Sequence, residues 1–306
     1  MRVNFSSLHA AAWLTCTAAV LPGCMDYRAP LKAVTVTFKP ASDEAPSGEA
    51  APAEPGTGTS EPAESGGVGT LTGQIVYGGD PPALPPLFGA GADVRDAAVC
   101  AAEPIANESL VVDPATKGIA HVFIYLEKAP KGGVSPPAEG DAIFDQRGCV
   151  FRPHALLVRA KQKVLILSDD PIAHNTHTFP NRNKPFNQGI PPNERNGVAL
   201  TYAAAERMPV EVKCDYHPWM RAWHLPLDHG FAALTDAQGK FSIAGLPAGT
   251  HKFKIVHEGR EIERAYTVTI KAGDNPLTIT LGAEKFTAQG APGKRLRITA
   301  DGLVMR

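Results

Sequence analysis

The amino-acid sequence predicts an all-β protein, and three observations support this. Short runs rich in Val, Ile, Thr and Phe recur along the chain between turn residues, with 29 Gly and 28 Pro among 306 residues. Several runs alternate polar and apolar side chains, as in residues 252–255, which suits a strand with one solvated side. Segments with a helical period are nearly absent, and residues 199–207 are the only weak candidate. A β-sandwich or a Greek-key barrel is therefore expected.

The first 23 residues have the features of an export signal. Arg2 supplies a positive start, and residues 9–21 form a mostly apolar run that is too short to span a bilayer. The run ends in Leu-Pro-Gly-Cys, which resembles the processing site of bacterial lipoproteins. We therefore expect a lipoprotein signal peptide over 1–23 and a lipid anchor on Cys24. An ordinary secretory signal is the alternative, and both place the protein outside the cytoplasm, in the periplasm or cell envelope.

Residues 39–69 have the composition of a disordered segment. Pro, Ala, Glu, Gly, Ser and Thr dominate it, so that it cannot bury enough apolar surface to offset the entropy lost on ordering. The sequence predicts a disordered tether over 24–69 that connects the anchored end to the folded part.

Eight strand candidates follow the tether, each bounded by turn residues. They are residues 71–77, 119–126, 155–167, 208–214, 240–243, 252–256, 266–270 and 277–281. The first two belong to an N-terminal β portion over 70–139, and the last four belong to a C-terminal β portion over 229–283. A module over 140–228 lies between them, and a mildly basic tail over 284–306 ends the chain.

The residues that indicate chemistry lie at the end of the strand candidate 208–214. Alternation along this strand places Cys214 on the same face as the apolar side chains, so that the thiol points to the core side. His217 and Met220 follow three and six residues later, and Pro218 stiffens the loop that turns them back.

A second segment supplies two further imidazoles. His174 comes directly after a turn-rich stretch at 168–171, and His177 lies three positions on. Positions three apart on an extended strand face opposite sides, so only one of the two can approach Cys214. A thiolate, two imidazoles and a thioether are the ligands of a blue copper electron-transfer centre.

Together the two segments resemble the cupredoxins, in particular amicyanin and related small blue copper proteins. Residues 214–220 match the Cys-x-x-His-Pro-x-Met loop of that family, and residues 174–177 match its upstream His-Asn-x-His segment. By this resemblance the ligands of one mononuclear type 1 copper ion are His174, Cys214, His217 and Met220. The resemblance also implies a Greek-key cupredoxin sandwich over 140–228, a supporting role for Asn175 at the Cys214 loop, and a structural or surface role for His177.

A second resemblance concerns the residues on either side of this module. Residues 231–281, which contain the stretches 235–243 and 246–250, resemble the second half of a carboxypeptidase-regulatory, transthyretin-like sandwich. Residues 70–76 and 122–126 resemble its first half. The resemblance implies that the copper module is inserted into, or packed edge to edge with, an associated transthyretin-like β-sandwich.

The remaining cysteines need an assignment. Once Cys24 carries lipid, three cysteines are left after the signal peptide, and an odd thiol in an oxidising compartment requires a reason. Copper at Cys214 supplies one, so that Cys100 and Cys149 are expected to form a disulfide. The alternative is that Cys149 and His154 belong to a second metal site.

The residues around Cys214 do not indicate an enzyme. A multicopper oxidase has His on both sides of its copper-binding Cys, whereas this chain has Lys213 and Asp215. The dinuclear copper centre of cytochrome oxidase needs a second Cys at the position of Val210. The histidines His121, His154 and His177 would be candidates for a second metal site, as in copper-dependent nitrite reductase, but isolated histidines on strands are more often structural.

The expected function is one-electron transfer between redox proteins outside the cytoplasm, with a c-type cytochrome or a respiratory complex as partner. A copper-delivery protein and a structural surface lipoprotein are the alternatives. Thirty basic residues balance 31 acidic ones without a basic block, so no nucleic-acid partner is expected. By the cupredoxin resemblance, an exposed edge of His217 with Pro218 and Trp219 forms the surface for electron exchange.

Overall fold

The computed structural model of the protein describes residues 66–286 and the backbone of 297–299 and 302–304. The expected signal peptide, the expected lipid on Cys24 and most of the expected tether and tail lie outside the described residues. Within the described residues, no helix combines the length and the apolar character needed to cross a bilayer.

The described part of the chain is almost entirely β-structure, which confirms the all-β fold class. The strands are β1 (Val68–Gly78), β2 (Phe123–Leu126), β3 (Ala142–Gln146), β4 (Phe151–Arg152), β5 (Ala155–Arg159), β6 (Lys163–Ile166), β7 (His174–Phe179), β8 (Asn187–Ile190), β9 (Val198–Thr201), β10 (Val210–Lys213), β11 (Arg221–Leu227), β12 (Ala232–Leu234), β13 (Lys240–Pro247), β14 (Gly249–His257), β15 (Arg260–Ile270), β16 (Gly273–Gly282), β17 (Arg297–Thr299) and β18 (Gly302–Val304). One short α-helical turn, α1 (Ala97–Cys100), and one 3₁₀ turn (Ala283–Lys285) accompany them.

Two sheets enclose the core between residues 140 and 228. One has the order β5-β11-β10-β7-β8 and the other the order β4-β3-β6-β9. Their inner side chains form one hydrophobic cluster, which includes Phe144 and Val164 from one sheet and Val212 and Ala222 from the other. Because strand side chains alternate between faces, each strand contributes every second residue to this core. The two sheets therefore make a β-sandwich, as the sequence predicts.

A second pair of sheets is built from segments on both sides of that sandwich in sequence. β1 lies between β13 and β16 in one sheet, and β2 lies between β12 and β14 in the other, which β15 completes. Leu71 and Ile75 of β1 pack with Ile124 of β2 and Phe253 of β14 in a core of their own. Strands that precede residue 140 thus pair with strands that follow residue 228. The resemblance of these sheets to a transthyretin-like sandwich and the exact domain boundaries stay predictions.

Strand β2 is buried on both faces and so connects the two cores. Ile124 packs in the core shared with β1, whereas Phe123 and Tyr125 pack against Leu225 and Leu227 of β11. A strand that is covered on both faces has a continuous run of apolar residues. This explains why apolar and polar residues do not alternate in β2.

The weak helix candidate at 199–207 is wrong. Its first residues belong to β9, which pairs antiparallel with β6, and no helix forms in the remainder. Leu200 and Tyr202 are buried, whereas Thr201 between them is exposed, which is the period of a strand. Pairing with β6 and burial of these two side chains outweigh the modest helix propensity of the alanines that follow.

Cys100 and Cys149 form a disulfide, which confirms the pairing expected from the cysteine count. The bond spans 49 residues, and restricting a loop of that length in the unfolded chain stabilises the fold by about 4 kcal/mol in the chain-entropy description. It ties α1, which precedes β2, to the sandwich around residues 140–228. Cys214 is the only free cysteine in the described part of the chain.

A buried ion pair also joins the two pairs of sheets. His154 precedes β5, and Glu258 forms the turn between β14 and β15; the distance from His154 Nε2 to Glu258 Oε1 is 2.6 Å. Burial opposes the charged form of each group, but the hydrogen bond and the opposite charge outweigh it. The pKa of His154 is therefore raised and the pKa of Glu258 is lowered.

We predict that Glu258→Gln lowers the free energy of unfolding by about 1.5 to 3 kcal/mol, the range for hydrogen bonds to charged groups. The raised pKa of His154 contributes stability below its ordinary pKa of 6.5, and this is lost as the pH rises through the folded-state value. The lowered pKa of Glu258 contributes stability above its ordinary pKa of 4.5, and this is lost as the pH falls. The loss should therefore be largest between pH 4.5 and 6.5.

Urea unfolding at several pH values measures this difference. Glu103→Gln is the matched control, because Glu103 is exposed and its replacement removes the same charge. A pH-independent loss in Glu258→Gln would show that the pair is not ionised.

Candidate metal centre

The Cys214 thiol is placed by strand β10. Val210 and Val212 of this strand are buried, Glu211 and Lys213 are partly exposed, and Cys214 continues the alternation on the buried side. The chain then turns back on itself, because the backbone N–H of Met220 donates to the carbonyl of His217 at 2.9 Å. The backbone N–H of Cys214 in turn donates to the carbonyl of Met220 at 3.3 Å, which closes the loop.

His174 reaches the same loop from strand β7. β7 runs antiparallel to β10, and His177 lies opposite Lys213 in the register. His174 therefore lies beyond the paired part of β10, where the Cys214 loop begins. The backbone N–H of Asn175 donates to Cys214 Sγ at 3.5 Å, so that the first residues of β7 contact the sulfur directly.

The structure brings three of the four expected ligand residues together. The distance from His174 Nδ1 to His217 Nδ1 is 3.0 Å, and that from His217 Nδ1 to Cys214 Sγ is 3.6 Å. One donor atom of each residue lies within 4.8 Å of the other two. The exposed fractions are 0% for both histidines and 2% for Cys214. Met220 is 1% exposed and packs in the same hydrophobic cluster as Cys214.

The chemistry of these donors fits a copper ion. Thiolate and thioether sulfur suit Cu(I), and imidazole nitrogen suits both oxidation states. A blue copper centre is composed of two imidazoles, one thiolate and a nearby thioether, which is a weak axial ligand. The donors approach from a strand end and one short loop, both held by backbone hydrogen bonds.

The site favours a thiolate even before a metal binds. Burial opposes ionisation of Cys214, but hydrogen bonds with His174 and His217 and from backbone N–H groups outweigh it and lower the pKa of the thiol to about 6. Burial opposes protonation of His174, but its hydrogen bonds to Asp170 and Cys214 raise the pKa of the imidazole to about 9. A deprotonated sulfur is the form that binds a metal.

Each of the two histidine rings also contacts a carboxylate through its other nitrogen. His174 Nε2 lies 2.9 Å from Oδ2 of Asp170, which in turn accepts hydrogen bonds from the backbone N–H groups of Gly148 and Cys149. His217 Nε2 lies 2.9 Å from Oδ2 of Asp96. The sequence interpretation did not assign either carboxylate to the site. Asp170 lies four positions before His174, a spacing that was available as a signal, whereas Asp96 is 121 residues from His217.

Asn175 holds the loop as the family resemblance implies. Its Oδ1 accepts a hydrogen bond from the backbone N–H of Asp215, and its Nδ2 donates to Asp215 Oδ2 at 2.9 Å and to Asn187 Oδ1 at 2.8 Å. Asn175 is 3% exposed, so these polar atoms have few alternatives in water.

The other candidate histidines do not join the site. His177 lies on the neighbouring surface, with Nδ1 at 3.1 Å from Asp215 Oδ2. His154 contacts Glu258, and the ring of His121 lies 5.2 Å from that of His154. His121, His154 and His177 therefore do not converge on a second metal site in the described structure.

The expected exposed edge of His217 is absent, because Asp96 covers the ring. Trp219 is half-buried. The ring of Phe88 packs edge-on against its ring with 4.9 Å between the ring centres, and Trp219 Nε1 donates a hydrogen bond to the carbonyl of Cys149 at 3.2 Å. Pro218 is exposed, as is Tyr216. The exchange surface predicted from the sequence thus needs correction, since of its three residues only Pro218 is freely accessible.

Comparison with known proteins finds similarity only among solved structures. No family model and no curated protein matches the sequence. A Cu-containing nitrite reductase from Thermus scotoductus SA-01 matches at 16% identity and a TM-score of 0.26, over 31% of this chain and 25% of its own. A purple cupredoxin from Nitrosopumilus maritimus matches at 17% identity and a TM-score of 0.24, over 28% of this chain and 99% of its own.

An amicyanin from Paracoccus versutus matches at 17% identity and a TM-score of 0.25, over 35% of this chain and 98% of its own. The chain thus spans a quarter of the length of the nitrite reductase and almost all of each small cupredoxin. Similarity of this size carries no functional conclusion.

We predict that Asn175→Ala destabilises the copper-free protein by about 1 to 3 kcal/mol, because the partly buried backbone N–H of Asp215 loses its acceptor. Denaturant unfolding gives the value. Asn196→Ala is the control: its side chain is exposed, and a change within about 0.5 kcal/mol is expected. Equal stabilities of the two variants would show that the Asn175 side chain does not hold the loop.

Proposed function

We propose that this protein is an extracytoplasmic one-electron carrier with a single type 1 copper ion. The ion would be held by the ligands His174, Cys214, His217 and Met220. The observation that carries the proposal is the convergence of Nδ1 of His174, Nδ1 of His217 and Sγ of Cys214 inside a hydrophobic core. The copper, when bound, supplies the one-electron chemistry by alternating between two oxidation states.

The protein's own residues hold the donor atoms in one arrangement. Asp170 lies 2.9 Å from Nε2 of His174 and Asp96 lies 2.9 Å from Nε2 of His217. Asn175 fixes the loop that follows Cys214. Donors that are held by a second layer of hydrogen bonds change little when a charge is gained or lost, which suits repeated electron transfer. The backbone N–H of Asn175 directed at the sulfur stabilises negative charge on it.

The burial of the donors favours a carrier over a copper-delivery protein. A delivery site needs an accessible position through which the metal leaves, whereas the three converging donor residues here are at most 2% exposed. A structural surface lipoprotein is also less consistent with the site, because an apolar core does not require two buried imidazoles and a thiol of lowered pKa.

Several further features belong to the same proposal. The chain is exported and anchored through lipid on Cys24, and the residues before β1 serve as a tether to the membrane. The partners are redox proteins such as a c-type cytochrome or a respiratory complex, and no catalysis is assigned. The copper module over 140–228 is inserted between the two halves of an associated β-sandwich, which is supported by the pairing of β1 with β13 and β16.

We predict that the copper-loaded protein is blue and cycles reversibly by one electron in a redox titration. A chelator should remove the metal slowly, because the donors are buried and both rings are hydrogen-bonded. Visible absorption followed during titration and during chelation gives both results. Rapid loss of copper without reversible cycling would instead indicate delivery.

We predict that His174→Ala abolishes the blue colour, whereas His177→Ala keeps it. The first variant loses a donor that faces Cys214, and the second removes a partly exposed ring that contacts Asp215. Visible and electron paramagnetic resonance spectra of the two copper-loaded variants decide the assignment. The reverse pattern would exchange the two residues in the ligand set.

A further inference from the structure

A segment from a distant part of the sequence covers the loop that carries His217. We call residues 88–100 the cap segment. It makes three side-chain contacts with three loop residues: Asp96 with His217 at 2.9 Å, Phe88 with Trp219 at 4.9 Å between ring centres, and the guanidinium of Arg95 at 5.0 Å from the ring centre of Tyr216. The cap segment thus contacts both sides of Pro218 in sequence.

The cap segment is fixed covalently at its far end. The backbone carbonyl of Asp96 accepts hydrogen bonds from Val99 and Cys100 in α1, and Cys100 is joined by its disulfide to Cys149. Cys149 in turn contacts one neighbour of each histidine ligand. Its backbone N–H donates to Asp170, the partner of His174, and its carbonyl accepts from Trp219 in the loop of His217. The carboxylate of Asp96 is therefore placed by a scaffold that also contacts Asp170, the partner of the other ring.

The contact with Asp96 favours a proton on Nε2 of His217. A carboxylate accepts hydrogen bonds and does not donate them when ionised, so Nε2 of His217 is the protonated nitrogen in this pair. In the copper-loaded protein Nδ1, which faces Cys214 and His174, would then offer its lone pair to the metal. A carboxylate on the remote nitrogen also makes an imidazole a stronger electron donor to a metal.

We propose that Asp96 is a positioning residue for the copper centre, which orients His217 through Nε2 and lowers the midpoint potential of the bound copper. This rests on the proposed function. Negative charge close to the ligand favours the more highly charged Cu(II) over Cu(I), which lowers the potential. The charge of Asp96 can be removed by mutation with few other losses. The same change at Asp170 would also disturb hydrogen bonds from two backbone N–H groups, because Asp170 is buried and accepts both. Arg95 Nε lies 3.5 Å from Asp96, but its side chain is 62% exposed and its charge is largely screened by water.

The backbone at Asp96 guides the choice of variants. Its φ is 54°, in the left-handed region, which Asn and Gly adopt more readily than other residues. Asp96→Asn keeps an acceptor for Nε2 and removes the charge, and Asp96→Gly removes both without backbone strain. Asp93→Asn is the matched control, because it removes the same charge from an exposed position in the cap segment.

The first measurement is the midpoint potential of the copper-loaded full-length protein and its variants. Asp96→Asn should raise the potential by about 59 mV or more, which is a tenfold or larger shift in favour of Cu(I), with the blue colour retained. Asp93→Asn should change it by less than a third of that shift. Equal potentials for Asp96→Asn and Asp93→Asn would overturn the proposal while leaving the electron-carrier function intact.

The second measurement uses copper-free protein, so it is independent of metal uptake. Nitrogen-15 spectra of the histidine side chains should show His217 protonated at Nε2 in the wild type and in Asp93→Asn. In Asp96→Gly this signal should be lost to exchange with water or replaced by the other tautomer. An unchanged His217 signal in Asp96→Gly would overturn the positioning role. Failure of the wild type to take up copper would sink the proposed function, and the nitrogen-15 spectra would then still decide on Asp96.

Discussion

Two imidazole rings and one thiol are buried at one end of a hydrophobic core. Their nitrogen and sulfur atoms need hydrogen-bond partners, because leaving a buried polar atom without a partner costs free energy. The rings face each other and Cys214 through Nδ1, and each Nε2 lies against an aspartate. Asp170 is itself held by two backbone N–H groups. The site is thus surrounded by a layer of hydrogen bonds, and the surrounding segments are arranged so as to provide that layer.

The partners of the site come from widely separated parts of the chain. Asp170 lies just before β7, whereas Asp96 belongs to a segment that precedes β2 and is attached to the sandwich by the disulfide between Cys100 and Cys149. The same disulfide is next to the His174 side of the site through Cys149. A covalent tie of this kind keeps an otherwise loop-like segment at a fixed distance from the ring that it covers.

The second pair of sheets supports the sandwich rather than only adjoining it. β2 fills both of its faces with apolar contacts, one toward β1 and β14 and one toward β11, and His154 forms a buried ion pair with Glu258 across the same boundary. β11 follows directly after Met220, so packing against β11 holds one end of the Cys214 loop in place. The ring edge of His217 is covered, and the exposed residues of the loop are Asp215, Tyr216 and Pro218.

The sequence by itself determined the all-β class, the face of β10 on which Cys214 lies and the loop that returns toward it, whereas the choice of His174 over His177 also used the resemblance to cupredoxins. These are local properties: a period of two along a strand, turn residues at stated positions and short spacings between donors. The eight strand candidates did not include β3, β4, β7, β8, β11 or β12, and one candidate over 155–167 joined the separate strands β5 and β6. β4 and β12 have only two or three residues, which carry too little pattern. A weak helix was also suggested where pairing with β6 makes the strand β9. Only the tertiary structure decided that Asp96 covers His217, that Phe88 covers Trp219 and that Glu258 pairs with His154. Each of these contacts joins residues more than 100 positions apart, and such contacts depend on how the sheets pack and on no local pattern that a sequence displays.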